Sequence, residues 1–545
     1  MAWSRSAQSR QVKTLSSKLI FLGFLLACDL SLQDVLPDGV SCRRACAQMS
    51  PGPAPGPADS DGAADKNFER LPPPRLLLPT PPVPPDDRPQ VRPLTLDEVI
   101  DSVQTHFPLL LAILQEQGIT AGQLLSAQGA FDLKLKMQEY GQFGTFDSQR
   151  VTVGFEQYLP YQGISYFAGY RHSVGDFPIY YGDRKTADGG EWRAGLIIPL
   201  LANRVIDAQR AAVRKAEIGR ALADPAIAGQ RIDFVRAAAR AYWSWVAAGQ
   251  RYLITRAVLE IARQRDRQLE ELVRRGAIAE IERVDNQRVI IEREARLIAA
   301  ERVWQQASIA LSLYLRNEVG LPVLPAAERL PAEFVEPVPL DRQQVLRDIE
   351  VALQQRPELQ RLRLQRERAL VDLQLARNQT LPQLNVGINV YQDVGAAEPS
   401  KVPLSGTELD RAAYLASVTF DVPLQRRDAR GRIVTAQAAI TQLAHQEQYQ
   451  RDRIVTEVQD AASALERSYE LVQKARQSVQ VARRVEAAER ERFFRGQGSL
   501  LILNLRELIT AEASFAEVDA LADYHRALAD YRAALGTDAA PPPAP

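Results

Sequence analysis

Cysteine is nearly absent. The three residues present, Cys28, Cys42 and Cys46, all lie near the start of the 545-residue chain, so no disulfide framework or thiolate metal site can support its body. Cys42 and Cys46 could pair in an oxidising compartment, but nothing requires it. The four histidines, His106, His172, His445 and His525, are scattered without metal-ligand spacing. Net charge is +0, which argues against a nucleic-acid binder working through a basic surface. There is no Walker-type phosphate loop and no Gly-x-Ser-x-Gly elbow. The many carboxylates lie among arginines at helical spacing, the pattern of solvated faces. Neither catalysis nor a cofactor is called for. Nor does any apolar run reach the roughly 20 residues that span a bilayer as a helix. If the mature chain crosses a membrane, it must do so as a closed β-barrel.

What is present suits export. Arg5, Arg10, Lys13 and Lys18 precede the apolar run Leu19 to Ala27, a basic region followed by a short hydrophobic one, as in a secretory signal over 1–28. Leu25-Leu26-Ala27-Cys28 resembles a bacterial lipoprotein signal, in which Cys28 would be lipidated. An ordinary cleaved signal is the alternative. Residues 29–93 are rich in Pro, Gly, Ala and Asp, too poor in apolar surface to fold, and read as an extended tether. Residues 538–545 form a Pro-rich tail. Folded sequence begins at Leu94, with Thr95 or Asp97 able to cap a helix.

The body runs twice. Phe107-Pro108 and Arg356-Pro357 stand 249 positions apart, as do Ala127 and Ala376, and Phe131 to Leu135 with Thr380 to Leu384. Further on, Pro199-Leu200 matches Pro423-Leu424, and Arg275-Gly276 matches Arg495-Gly496. Landmarks in fixed order signal an internal duplication, with repeats over 94–335 and 336–537. Each opens with a helix of about 30 residues, passes through an extended region and continues into a very long helix. A glycine-marked break then leads to a second long helix.

The extended regions, 131–199 and 380–424, alternate apolar and polar residues, as in Val151-Thr152-Val153-Gly154-Phe155 and Leu384-Asn385-Val386-Gly387-Ile388. Period two reads as strand. The first region is dense in aromatics, among them Tyr140, Phe143, Phe155, Tyr166, Phe167, Tyr170, Phe177, Tyr180 and Tyr181. A barrel's interfacial girdles use such residues. From alternation alone, a soluble sandwich with an aromatic core is the simpler reading.

Helical periodicity is plainer. Ile454, Val458, Ala461, Leu465, Ser468, Val472, Ala475, Val479 and Ala482 form a heptad seam, and Ile232, Val235, Ala239, Tyr242 and Val246 do likewise. The hairpins predicted over 203–317 and 431–535 hold helices of roughly 100 Å at 1.5 Å per residue. Such lengths suit a fibre, a scaffold or a tunnel. Asp224-Pro225 interrupts the first long helix, and a kink or a restart is expected there.

In order, these features resemble the TolC-like outer-membrane efflux proteins. The resemblance rests on the break Arg492-Phe493-Phe494-Arg495-Gly496-Gln497-Gly498-Ser499, followed by Leu500 to Leu503, on its first-copy counterpart Gly276 to Asp285, and on the close at Ala534-Leu535-Gly536-Thr537. It implies an α+β membrane protein and a homotrimer. Each chain would give four strands to a shared 12-strand transmembrane β-barrel, continued by a long periplasmic α-helical barrel. The first strand region is the longer one, which leaves room for an extra hairpin or a large external loop. The implied role is a passive export duct across periplasm and outer membrane, in a tripartite efflux or type I secretion system. Its partners would be a periplasmic adaptor (membrane fusion) protein, an inner-membrane pump and outer-membrane lipid, with no nucleic acid.

The resemblance also places a periplasmic gate at the helical tips. Gly276 and Gly496 fall at the reversals. Glu282 matches a tip carboxylate that helps lock the closed state, but its usual aromatic and basic partners fall at Phe493 and Gly498, so the familiar lock is not preserved. Ring carboxylates of some members match Ile502 and Leu505, which are apolar here. Gating by dewetting and weaker cation selectivity are therefore expected. The competing reading is a periplasmic coiled-coil scaffold or adaptor lipoprotein, with the strand regions as a small soluble domain.

Overall fold

The computed structural model describes residues 92–144, 146–177, 185–395 and 412–537. The predicted signal with Cys28, the stretch up to residue 91, the tail 538–545, and Tyr180 and Tyr181 lie outside the described residues. Two helices come first, α1 (Leu96–His106) and α2 (Pro108–Gln128), then four strands: β1 (Lys134–Gln142), β2 (Ser148–Tyr158), β3 (Ser165–Gly175) and β4 (Glu191–Pro199). A hairpin of α3 (Ala208–Arg274) and α4 (Glu280–Ser312) follows. The order then recurs with α5 (Arg342–Gln355), α6 (Pro357–Asn378), β5 (Gln383–Asp393), β6 (Ala413–Asp421), α7 (Arg427–Phe494) and α8 (Leu500–Leu535).

The single opening helix predicted for each half is in fact two. Phe107 (φ −76°, ψ 117°) and Arg356 (φ −61°, ψ 123°) are extended, because a following proline ring clashes with helical backbone. Each proline then starts the next helix, where its missing N–H is no loss. Of the two candidate caps Thr95 is the one used, accepting the Glu98 N–H.

Of the kink or restart expected at Asp224-Pro225, the restart does not occur. Helix α3 runs unbroken for 67 residues with Pro225 buried inside it. A proline costs about 3 kcal/mol in a helix interior. Packing along α2, α4, α6 and α8 holds both flanks, and Gln117 on α2 donates to Asp224 Oδ1 at 3.0 Å. Helix α7 has 68 residues, so both long helices reach about 100 Å.

Both heptad seams face the core, with Ala461, Ser468 and Ala482 of α7 only half-buried. Ile454, Val458, Leu465, Val472 and Val479 of α7 are covered, and Leu521, Tyr524 and Tyr531 of α8 join the same core. Ile232, Val235, Ala239, Tyr242 and Val246 are buried on α3. At mid-length of α3 the packing becomes aromatic. Tyr242, Trp243 and Trp245 meet Phe107 of the α1–α2 corner and Leu311 near the end of α4. His525 of α8 stacks on Trp243 at 3.9 Å and 11°.

The six strands make one antiparallel sheet in the order β1-β2-β3-β4-β5-β6. The resemblance implied four strands per chain. Among the described residues there are six, and the longer first region contributes the extra hairpin rather than only a loop. The two halves join at β4 and β5, where Pro199 pairs with Asn385 and Glu191 with Asp393.

Candidate functional site

Three features stand out along the molecule: a two-faced sheet at one end, two helical reversals at the other, and a buried ion network just above the reversals.

Cross-strand partners in an antiparallel sheet point to the same side, so the register sorts every side chain. One face carries Leu135 and Met137 of β1, Val151, Val153 and Phe155 of β2, and Tyr166, Ala168 and Tyr170 of β3. It continues through Trp192, Ala194, Leu196 and Ile198 of β4, Val386, Ile388 and Val390 of β5, and Tyr414, Ala416, Val418 and Phe420 of β6. The opposite face carries Lys134, Lys136, Gln138, Arg150, Thr152, Glu156, Arg171, Arg193, Asn385, Asn389, Ser417, Thr419 and Asp421. Lys136 pairs there with Glu156, and Arg171 with Glu191 at 2.8 Å.

The apolar face is bare: Tyr414 is 78% exposed, Val418 70%, Phe420 62% and Trp192 59%. That removes the sandwich reading, since all described strands share one sheet and no second sheet covers this face among the described residues. Aromatic rings mark the ends of the apolar band. Tyr170 and Trp192, 5.3 Å apart, lie with Tyr414 away from the helices, and Phe155, Tyr166 and Phe420 lie towards them. Tyr140 and Phe167, also read as girdle residues, fall on the polar face. Among the described residues no helix is long and apolar enough to cross a membrane, and no His, Cys, Asp and Glu cluster could hold a metal ion.

The two reversals are built alike. Arg275 and Arg495 cap α3 and α7, and Gly276 (φ +71°) and Gly496 (φ +73°) follow in the left-handed region that glycine enters without strain. Gly276 N donates to Val273 O and Ala277 N to Leu272 O; Gly496 N donates to Phe493 O and Gln497 N to Arg492 O. This is the Schellman arrangement, which satisfies otherwise orphaned carbonyls at a helix end. Ser499 then caps α8 by accepting from Ile502 N.

The remaining predicted tip residues are all at this end. Glu282 sits exposed in the first turn of α4 and forms no ion pair among the described residues. Phe493 packs edge-on against Phe494 at 5.5 Å. Ile502 and Leu505 are exposed near the start of α8. Gly498 has a reason that sequence alone did not give: a Cβ there would lie 2.9 Å from Glu489 Oε1 and 3.1 Å from Phe493 N. Glu489 is itself buried, with only its other oxygen engaged, by Arg492 at 3.3 Å.

The ion network was not visible in the sequence. Glu507 of α8 accepts from Arg265 of α3 through one oxygen and from Arg293 of α4 through the other, both at 2.7 Å. Arg265 also donates to Asn286 Oδ1 at 2.9 Å and Asn504 Oδ1 at 2.6 Å, and Arg293 to Val258 O at 2.7 Å. All three charged residues are buried. Burial pushes the Arg265 guanidinium below its ordinary range, while Glu507 opposes the shift. The network lies roughly ten residues from each reversal, about 15 Å along the helices. It binds the first hairpin to the second. Each member looked like one more charge on a solvated face, and only the doublet of polar Asn286 and Asn504 at comparable distances from the two glycines could have hinted otherwise.

The sequence model described as outer membrane efflux protein matches residues 349–537. No curated protein sequence matches the chain. Solved structures do. The open state of the Neisseria gonorrhoeae MtrE outer membrane channel aligns with TM-score 0.57 and 16% identity, covering 81% of this chain and 88% of that one. The Campylobacter jejuni CmeC outer membrane channel aligns with TM-score 0.55 and 14% identity, covering 81% and 85%. The Vibrio cholerae outer membrane protein VceC aligns with TM-score 0.55 and 16% identity, covering 81% and 96%. The chain resembles the TolC-like outer membrane efflux proteins in sequence over residues 349–537, and its described body has the fold of outer-membrane channels.

Proposed function

We propose that the protein is the outer-membrane duct of a tripartite efflux or type I secretion system, a passive homotrimeric channel and not an enzyme. The sheets of three copies close one shared β-barrel in the outer membrane, and the helical hairpins form a tunnel through the periplasm. The two repeats, 94–335 and 336–537, contribute equivalent hairpins. The single observation that carries this reading is the sheet with one bare apolar face and one polar face on a body of helices about 100 Å long. Lipid covers an apolar band, and unpaired strand edges in lipid require closure by other chains. A periplasmic scaffold would leave that band in water.

The tips are the gate. Gly276 and Gly496 set the reversals, and Ile502 and Leu505 line the narrowing as apolar side chains, so that closure works by excluding water. An adaptor docks near the tips and parts them, and an inner-membrane pump supplies the energy. The test is purification and planar-bilayer recording. The full chain should need detergent, run as a heat-labile trimer and conduct ions; a water-soluble monomer without conductance overturns the reading.

A further inference from the structure

The strand count has a geometric consequence. Among the described residues β1 pairs only with β2, and β6 only with β5, so each has one free edge. β1 runs away from the helices and β6 returns towards them, so the two edges of neighbouring copies meet antiparallel. The apolar set reaches both edges, where Leu135 and Met137 on β1 match Val418 and Phe420 on β6, with Glu139 the polar exception on β1 and Leu415 the apolar exception on the other face of β6. The extra hairpin therefore belongs to the same band as the other strands and is not a soluble appendage.

We propose, resting on the trimeric reading above, that β1 and β6 of neighbouring copies pair with Lys134 opposite Asp421, closing an eighteen-stranded barrel. Two observations and one geometric check support this seam. Lys134 and Asp421 both stand on the polar face at the helix end, and neither has an ion pair among the described residues. Pairing them keeps polar opposite polar, whereas a slip of one residue would set Lys134 against Phe420 of the opposite face.

The check is the stagger. Followed across the sheet, Lys134 pairs with Glu156, then Phe167, Gly195, Asn389 and finally Leu415. Leu415 lies six residues before Asp421. With Lys134 of the next copy opposite Asp421, each copy therefore advances six residues over six strands. At about 3.3 Å per residue and about 4.8 Å per strand, the tilt is about 35°, at the edge of the range in which membrane barrels close. The backbone diameter is then about 34 Å, against about 22 Å for twelve strands at the same tilt. The outer lumen is about one and a half times as wide as the family resemblance implied, and is lined by the polar face.

The test uses the full chain with Cys28, Cys42 and Cys46 replaced by serine. Oxidation of the Lys134→Cys/Asp421→Cys double variant should link chains covalently into trimers, while neither single variant does. Three-fold averaged images of the detergent-solubilised wild-type chain should show eighteen strands. External exclusion of polyethylene glycols should report a mouth about one and a half times as wide as in a variant whose residues 143–190 are replaced by a short turn. A conducting trimer with twelve strands in its wall, or with no cross-link, overturns the eighteen-strand seam and leaves the duct reading standing. A monomer without conductance overturns both.

Discussion

Replacing Glu507 by glutamine should loosen the joint between the two helical hairpins of one chain. Glu507 is 3% exposed and each of its oxygens takes one guanidinium N–H at 2.7 Å. An amide keeps a single acceptor, removes the negative charge, and turns its own N–H groups on Arg265 or Arg293. Stranding buried charges in this way costs about 3–5 kcal/mol. At a factor of ten per 1.4 kcal/mol, even about 3 kcal/mol raises local opening by roughly a hundredfold. Hydrogen exchange should read this at the amides around 258–269 of α3, 286–293 of α4 and 503–511 of α8, and leave the sheet untouched. The triple variant Arg265→Met/Arg293→Met/Glu507→Leu removes the three buried charges together and should lose less, since apolar replacement of a buried ion cluster is often neutral or better, the remaining cost being the donor lost to Asn286 and Asn504. A single variant within threefold of wild type, or a triple variant at least as open as the single one, would refute the reasoning.

Burial holds His525 down to about 4 from its ordinary 6.5. The unfolded chain then binds a proton the folded chain refuses, so stability is full above pH 6.5 and falls as pH drops towards 4, by about 3 kcal/mol. The difference in urea midpoint between pH 7 and pH 4.5 should shrink in His525→Phe; an unchanged difference counts against the assignment. If the chain forms the proposed duct, Val418→Arg, on the bare apolar face, should cost about 2–4 kcal/mol and reduce assembled trimer, while Ser417→Arg on the polar face should not; equal losses would mean the faces are misassigned. Gly276→Ala meets open space but a left-handed backbone, worth about 1–2 kcal/mol, so trypsin should cut at Arg274 and Arg275 about tenfold faster. Gly276→Asn should be milder, and alanine equal to asparagine would argue against the conformational cause.

The sequence by itself determined the elements that depend on short-range physics. The heptad seam from Ile454 to Val479 was legible because burial repeats with the helix period. The reversals at Gly276 and Gly496 were legible because a left-handed residue after a helix cap favours glycine. Alternation marked both strand regions, since successive side chains point to opposite faces. Tertiary structure decided the rest. Whether two alternating regions make a sandwich or one sheet depends on the β4–β5 pairing across about 190 residues of chain, which no local pattern records. The same holds for Pro225, whose local preference is overridden by packing along a 67-residue helix. Arg265, Arg293 and Glu507 are charges at ordinary helical spacing until three helices bring them together and exclude water. Local sequence shows which side a residue can face, and only the assembled fold decides what stands opposite.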